Sequence, residues 1–268
     1  MQKIALPQKV EFLKGADDNS KQIVISPCFA GYGTTLGNAL RRVLLSSLPG
    51  AAVIGVKIKG ADHEFMSLPH VKEDVLELIL NLKKLRLKVF TEEVVKLELD
   101  ARGEKEVTAS DIKKSAQVEI ANPDLILGHI TDMAGSLVME ISVASGQGYV
   151  IVENREKKAN EIGYIDMDSI FSPVLAVGIS VENMRVGKMT DWDKLVLNVT
   201  TDGTITPEDA FKQSVEILIS QFSSLVGRVE EEKAEAPEEA APEEKAEAPS
   251  MVLGLEEKAK KRGRPKKA

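Results

Sequence analysis

One cysteine, one tryptophan and three histidines among 268 residues set the first limits on this chain. Cys28 alone closes no intramolecular disulfide and supplies no cysteine cluster for zinc, which fits a reducing compartment. His63, His70 and His129 stand apart, without the helix or hairpin spacing of metal ligands. Aromatic residues make up only 4%, so a core has to be built from Leu, Ile and Val. No uncharged apolar run reaches the length of a membrane span, and the start MQKIALPQKV carries no signal-peptide pattern. The expectation is a cytoplasmic chain with no membrane partner, in which the sequon Asn198-Val199-Thr200 is a chance match.

Catalytic patterns are equally scarce. Gly31, Gly33 and Gly37 are spaced GxGxxxG, one residue off the dinucleotide fingerprint, and the acidic residue that should follow about twenty positions on is not evident. These glycines read as a tight turn into a helix. Asp166 and Asp168 are two carboxylates at i, i+2 without a third, a pattern of turns and strand edges more than of metal sites. The chain is therefore expected to hold no metal, no cofactor and no active site of its own.

What is present is an ordinary globular composition, 43% hydrophobic and 29% charged, followed by an abrupt change. Formal charge divides as −5 over residues 1–229, −7 over 230–249 and +5 over 250–268. Residues 230–249 hold nine Glu and two Lys, and the hexamer EKAEAP occurs twice. With almost no apolar side chains to bury, residues 230–257 are expected to form a disordered linker. Treated as a flexible coil, it has a reach of roughly 30 Å. Residues 258–268 form a basic tail.

Within residues 1–229 a helix is expected after Thr34, acting as cap, and ending at Pro49-Gly50. Leu36, Leu40, Val43 and Leu44 share one side of it. Asn38, Arg41, Arg42 and Leu45 line the other, either a solvated face with a stray leucine or a partner-docking face. A second helix is bounded by Thr206, Pro207 and Gly227, and its apolar arc, with Phe211, Leu218 and Phe222, is wider than a surface helix needs. Such a helix packs on two sides, a sheet and a second subunit, or else inside a larger core. A third helix is expected over 71–82. Strands are expected at 53–58, 85–89, 94–99, 118–120, 137–143 and 195–199. Lys83, Lys84, Arg86 and Lys88 form a basic patch.

Two long stretches, GYGTTLGNALRRVLLSSLPG (31–50) and HEFMSLPHVKEDVLELILNLKKL (63–85), resemble the α subunit of bacterial DNA-dependent RNA polymerase. The likeness continues through VEIANPDLILGHITD (118–132), DSIFSPV (168–174) and NMRVGKMTDWDKLVLNVTTDGTITPEDA (183–210), covering essentially all of residues 1–229. It implies an α+β fold in two subdomains: residues 1–48 with 170–229 for dimerisation, and a mostly β insert over 49–169. It implies a homodimer through the two long helices, with Leu36, Leu40, Phe211, Leu218 and Phe222 at the interface. That dimer would be a non-catalytic platform for the large subunits β and β′, nucleoid-associated within polymerase. Arg42, Leu45 and Lys83 correspond to β-contacting positions. Arg185 and Asp191 lie in the part facing β′. Family members usually carry a helical DNA-binding domain after the linker, which the residues beyond Arg228 are not expected to form.

The chain instead ends in KKRGRPKK (260–267), which looks like an AT-hook. In such a motif Arg262, Gly263, Arg264 and Pro265 would lie extended in the narrow minor groove of A·T-rich DNA, whose negative potential draws in arginine. The bland alternative is a generic basic end, and a third has the acidic linker folding back on it. A rival reading of the whole chain is an architectural DNA-binding protein with no polymerase role.

Overall fold

The computed structural model describes residues 4–15, 17–155 and 162–235, with side chains through Val226. The acidic residues after Glu235 and the tail with Arg262, Gly263, Arg264 and Pro265 lie outside the described residues. The chain divides into two compact units at Leu225, and every sheet belongs to the first.

Strands β1 (Lys9–Lys14) and β2 (Ser20–Cys28) lead into helix α1 (Tyr32–Ser46). After β3 (Pro49–Ile58) come α2 (Val75–Leu82), β4 (Leu87–Val89), β5 (Val95–Arg102) and β6 (Lys105–Thr108). Next are β7 (Val118–Ile120), β8 (Ile126–Ile130), β9 (Ser136–Gln147), β10 (Tyr149–Val150), β11 (Tyr164–Asp166) and β12 (Ser169–Ile170). Strands β13 (Val174–Val186) and β14 (Met189–Thr201) precede α3 (Pro207–Glu235).

An antiparallel sheet ordered β1-β2-β14-β13 joins the beginning of the unit to its end. Alternation points Ile23, Ile25, Leu195, Leu197 and Val199 to one face, where they bury Leu40 and Leu44 of α1 and Phe211 of α3. The other face is polar enough for Gln22 to bond Asn198. A second sheet, β5-β9-β3-β4-β7 with β11 on β3, forms a separate core with α2. Helices on largely antiparallel sheets make this an α+β fold, as the sequence suggested.

Three expected boundaries are corrected. Thr34 does not cap α1: the cap is Gly31 in the left-handed region, φ 81°, which favours glycine. Gly33 and Gly37 serve a different purpose, because a Cβ at either would press on Val181, Asp193, Ile179 or Leu195 of the sheet. They let α1 lie close to β13 and β14.

Helix α2 starts at Val75 rather than 71, capped by Asp74, whose carboxylate accepts the Glu77 N–H at 2.7 Å. Val71 is instead bridged to Ile130, and the Glu73 carboxylate accepts the His129 N–H at 2.7 Å, so this segment is extended against β8. Burial pushes the Glu73 carboxyl up, but the His129 backbone and ring bonds outweigh it and hold the group below its ordinary range.

Helix α3 begins as expected, with Thr206 accepting the Asp209 N–H at 3.2 Å and Pro207 at the first position. It does not stop at Gly227 but continues to Glu235, so residues 230–235 extend the helix rather than open a linker. A helical glycine costs only about 1 kcal/mol relative to alanine, and the Glu, Lys and Ala that follow are strong helix formers.

Candidate assembly surfaces

The outward face of α1 carries Asn38, Arg41 and Arg42, all exposed. Leu45 is not a stray surface leucine: it is half-buried and packs along the edge of the first core. Its carbonyl, near the helix end where intrahelical partners run out, accepts the Ser172 hydroxyl at 3.1 Å. The Arg42 carbonyl accepts Ser46 Oγ at 2.8 Å. One turn of helix therefore presents a guanidinium beside an apolar side chain, a composition favoured in interface centres.

Lys83 sits at the C-terminal end of α2, with Nζ 4.0 Å from Asp168 Oδ2. Asp168 is a local hub, accepting the Val152 N–H at 3.0 Å and the Tyr149 hydroxyl at 3.3 Å. The Val152 N–H above all, then Lys83 and the Tyr149 hydroxyl, hold its carboxyl below the usual carboxylate value against opposing burial. The rest of the basic patch is partly spent. Arg86 Nε lies 3.9 Å from Asp202, Lys88 stands 5.6 Å over the Phe90 ring, and Lys84 bonds Asn81 at 3.1 Å.

These two positions border the same small hairpin. β10 pairs with β12, matching Tyr149 to Ile170, and Phe171 N–H donates to Gly148 O at 2.8 Å. The connection from β12 to β13 supplies Ser172 to Leu45, while Asp168, just before β12, meets Lys83. Tyr149 and Ile170, paired across this hairpin, are 60% and 51% exposed.

Arg185 and Asp191 are exposed on the arm where β13 and β14 extend beyond the pairing with β2, which ends at Asp193 opposite Cys28. Arg185 Nε donates to Gly187 O at 2.9 Å, curling the guanidinium onto the hairpin tip. At the base of the arm Phe29 meets both Tyr32 and Trp192 edge-on, with centroids 6.0 Å away.

The residues expected at a dimer interface separate into two groups. Leu40 and Phe211, 5% and 8% exposed, lie inside the chain's own first core and offer almost no surface to a second copy. Leu36 and Leu218 are half-buried, and Phe222 is 60% exposed. The apolar arc of α3 is wide because its first turns cover the sheet, whereas every side chain from Ile219 to Val226 is exposed. Ile219, Phe222 and Leu225 recur at three-residue steps, which makes one stripe. Among the described residues no group of three or more His, Cys, Asp or Glu is placed to hold a metal, and no helix is long and apolar enough to cross a membrane.

Residues 56–172, which span most of the second core, match the family model of the RNA polymerase Rpb3/RpoA insert domain. The DNA-directed RNA polymerase subunit alpha of Carboxydothermus hydrogenoformans is 50% identical over 210 residues, 78% of this chain and 67% of that relative. That of Desulforamulus reducens is 49% identical over 223 residues, 83% of this chain and 70% of the relative. The chain belongs to the bacterial RNA polymerase alpha-subunit family. A further alpha subunit, from Symbiobacterium thermophilum, is 47% identical over 224 residues, 83% of this chain and 71% of its own length. As a member of the alpha-subunit family the chain is a non-catalytic subunit of the nucleotidyltransferase that transcribes DNA.

Two residues that support these surfaces escaped sequence reasoning. Asp193, which anchors α1, and Arg155, which holds the β10–β12 hairpin, bond to groups more than a hundred positions away. No local spacing marks either.

Proposed function

We propose that the chain is a homodimeric platform on which the polymerase's two large subunits, β and β′, assemble. Residues 1–48 with 170–229 form the dimerisation subdomain, and 49–169 form the insert. The observation that carries this reading is a pair of exposed surfaces on helices that pack on the first sheet: the α1 face with Arg42 and half-buried Leu45, and the α3 stripe of Ile219, Phe222 and Leu225. The stripe fits a second copy of the chain, because a row of large apolar side chains on an exposed helix is most simply covered by its own symmetry mate. Leu36 and Leu218, half-buried against the first core, are assigned to the same interface.

Arg42, Leu45 and Lys83 are assigned to β, and Arg185 with Asp191 to β′. The first set lines the β10–β12 hairpin and the second lies on a separate arm, which suits two different large partners. The basic tail, through Arg262, Gly263, Arg264 and Pro265, is assigned to the minor groove of A·T-rich DNA on the strength of its sequence. Mixing the chain with purified β and β′ and measuring complex formation tests the platform. Wild-type protein should bind, and Arg42→Ala or Leu45→Ala should weaken β binding by about tenfold or more, the scale of an interface hot spot, while the dimer survives.

A further inference from the structure

At a bulge in β3 the chain is stapled by a side chain that none of the proposed contacts uses. Strand β3 carries a bulge: Val53 faces Val143 and Gly55 faces Ser142, leaving Ile54 as the extra residue. The carbonyls of this bulge are satisfied from outside the ladder. Ile54 O accepts the Met167 N–H at 2.9 Å and Arg155 Nη1 at 2.8 Å. Val53 O accepts the Ser169 hydroxyl, and Ser169 Oγ accepts Arg155 Nη2 at 2.6 Å. Ser169 is 2% exposed. One guanidinium thus ties the bulge of β3 to β12 with two prongs, one on a carbonyl and one on a hydroxyl, and its charge also lowers the pKa of Asp168.

The same hairpin has a second tie on its other side, where Asp168 accepts the Val152 N–H and the Tyr149 hydroxyl. Its far end reaches α1, through Ser172 to Leu45 O. Gly50 and Gly146 leave no room for a Cβ against Phe171, so β3 and β9 press directly on this connection. The segment that links the Arg42–Leu45 turn to Lys83 is therefore held by several polar ties, of which the Arg155 clasp alone joins it to the β3 bulge with two prongs, and it carries the exposed pair Tyr149 and Ile170.

We infer that Arg155 is a positioning residue for large-subunit docking: by clasping the β3 bulge to Ser169 it sets the β10–β12 hairpin in line with Arg42, Leu45 and Lys83. Arg155 need not touch the partner. The inference rests on the proposed assignment of that face to the β subunit.

The test uses the full-length chain and purified β, with Arg155→Met and Arg42→Ala measured side by side. Arg155→Met should weaken β binding by about tenfold, an effect on the scale of one displaced interface anchor, with dimer and far-ultraviolet circular dichroism unchanged. Hydrogen exchange should accelerate at the Val152 and Phe171 amides and not at those of α1 or α2, a local loosening that a general loss of stability does not produce. Arg155→Lys keeps the charge but not the two-pronged donor, so it should bind at an intermediate level; it also serves if the methionine variant does not fold. Wild-type binding by both Arg155 variants, with Arg42→Ala impaired, overturns the inference and leaves the docking face intact. Wild-type binding by Arg42→Ala as well overturns the assignment of the face itself, and the inference with it.

Discussion

Asp193 accepts the Gly33 N–H at 3.0 Å, joining β14 to the first turn of α1 across 160 residues of chain. The carboxylate is 93% removed from solvent, 7% exposed, and it occupies the position a side-chain cap would have filled. It meets one of the orphan N–H groups of the helix and the positive end of the helix dipole together.

Removing that acceptor leaves a buried N–H without a partner. Asp193→Ala should therefore destabilise the fold by about 1–3 kcal/mol. Asp193→Asn keeps an oxygen acceptor and should cost less. The measurement is the urea midpoint at unchanged slope. Gly37→Ala provides a steric counterpart, since its Cβ would sit 2.9 Å from Leu195 Cδ1 and 3.1 Å from Ile179 Cγ2. Overpacking of this kind costs about 1–3 kcal/mol.

The same helix shows what the sequence could and could not reveal. Its existence and apolar face were legible from the Leu36, Leu40 and Leu44 periodicity, but its end was not: the helix stops at Ser46, and Pro49-Gly50, expected to terminate it, opens β3. Its cap was not, because Thr34 looks like a capping residue while the anchoring oxygen comes from another strand. Strands with strict alternation, such as β5, were legible. β2 was missed because Ile23, Val24 and Ile25 are consecutive and all buried, so the run has no alternation to read. For the assembly face, Arg42 and Leu45 were marked by the helical wheel. Arg155 was invisible because its partners, Ile54 O and Ser169 Oγ, are brought to it only by folding. The wide arc of α3 divides into a part that covers the sheet and a part left exposed, and a sequence cannot say which residues fall where: Leu40 and Phe211, expected at an interface, lie in the chain's own core.

The outer purpose of α3 can be tested by charge. Phe222→Asp places a carboxylate in the middle of the exposed stripe without touching the core of one chain. It should convert dimer to monomer in sedimentation velocity, with helicity preserved, whereas Phe211→Ala should lower stability by about 3–5 kcal/mol through a core cavity. A Phe222→Asp variant that sediments as wild type would remove α3 from the interface.

Acid should loosen the hairpin. Asp168 titrates below its ordinary 3.8 in the folded chain, chiefly because it accepts the Val152 N–H. A carboxyl with a depressed folded pKa stabilises the fold above its unfolded pKa, and that contribution is lost as pH falls through the folded value. The contribution is complete near neutrality and declines below about pH 4. It is small, since the side chain is 37% exposed. Asp168→Asn should flatten this part of the acid limb of the stability profile, read by urea midpoints across pH.

The tail is tested by fluorescence anisotropy of the full-length chain and a 1–257 truncation on AT-rich and GC-rich duplexes over a salt series. Full-length protein should bind AT-rich DNA more tightly, with affinity falling as salt rises, and the truncation should lose this binding. Equal affinity for both duplexes would reduce the tail to a generic charge run.

The most direct measurement for the platform is sedimentation velocity of the purified chain with β, then with β and β′. The account predicts that the chain alone is a dimer, that one dimer takes up one β to form a two-to-one complex, that β′ then joins, and that Arg42→Ala blocks the β step while leaving the dimer. A chain that remains monomeric and binds neither large subunit, yet still binds DNA, would contradict it.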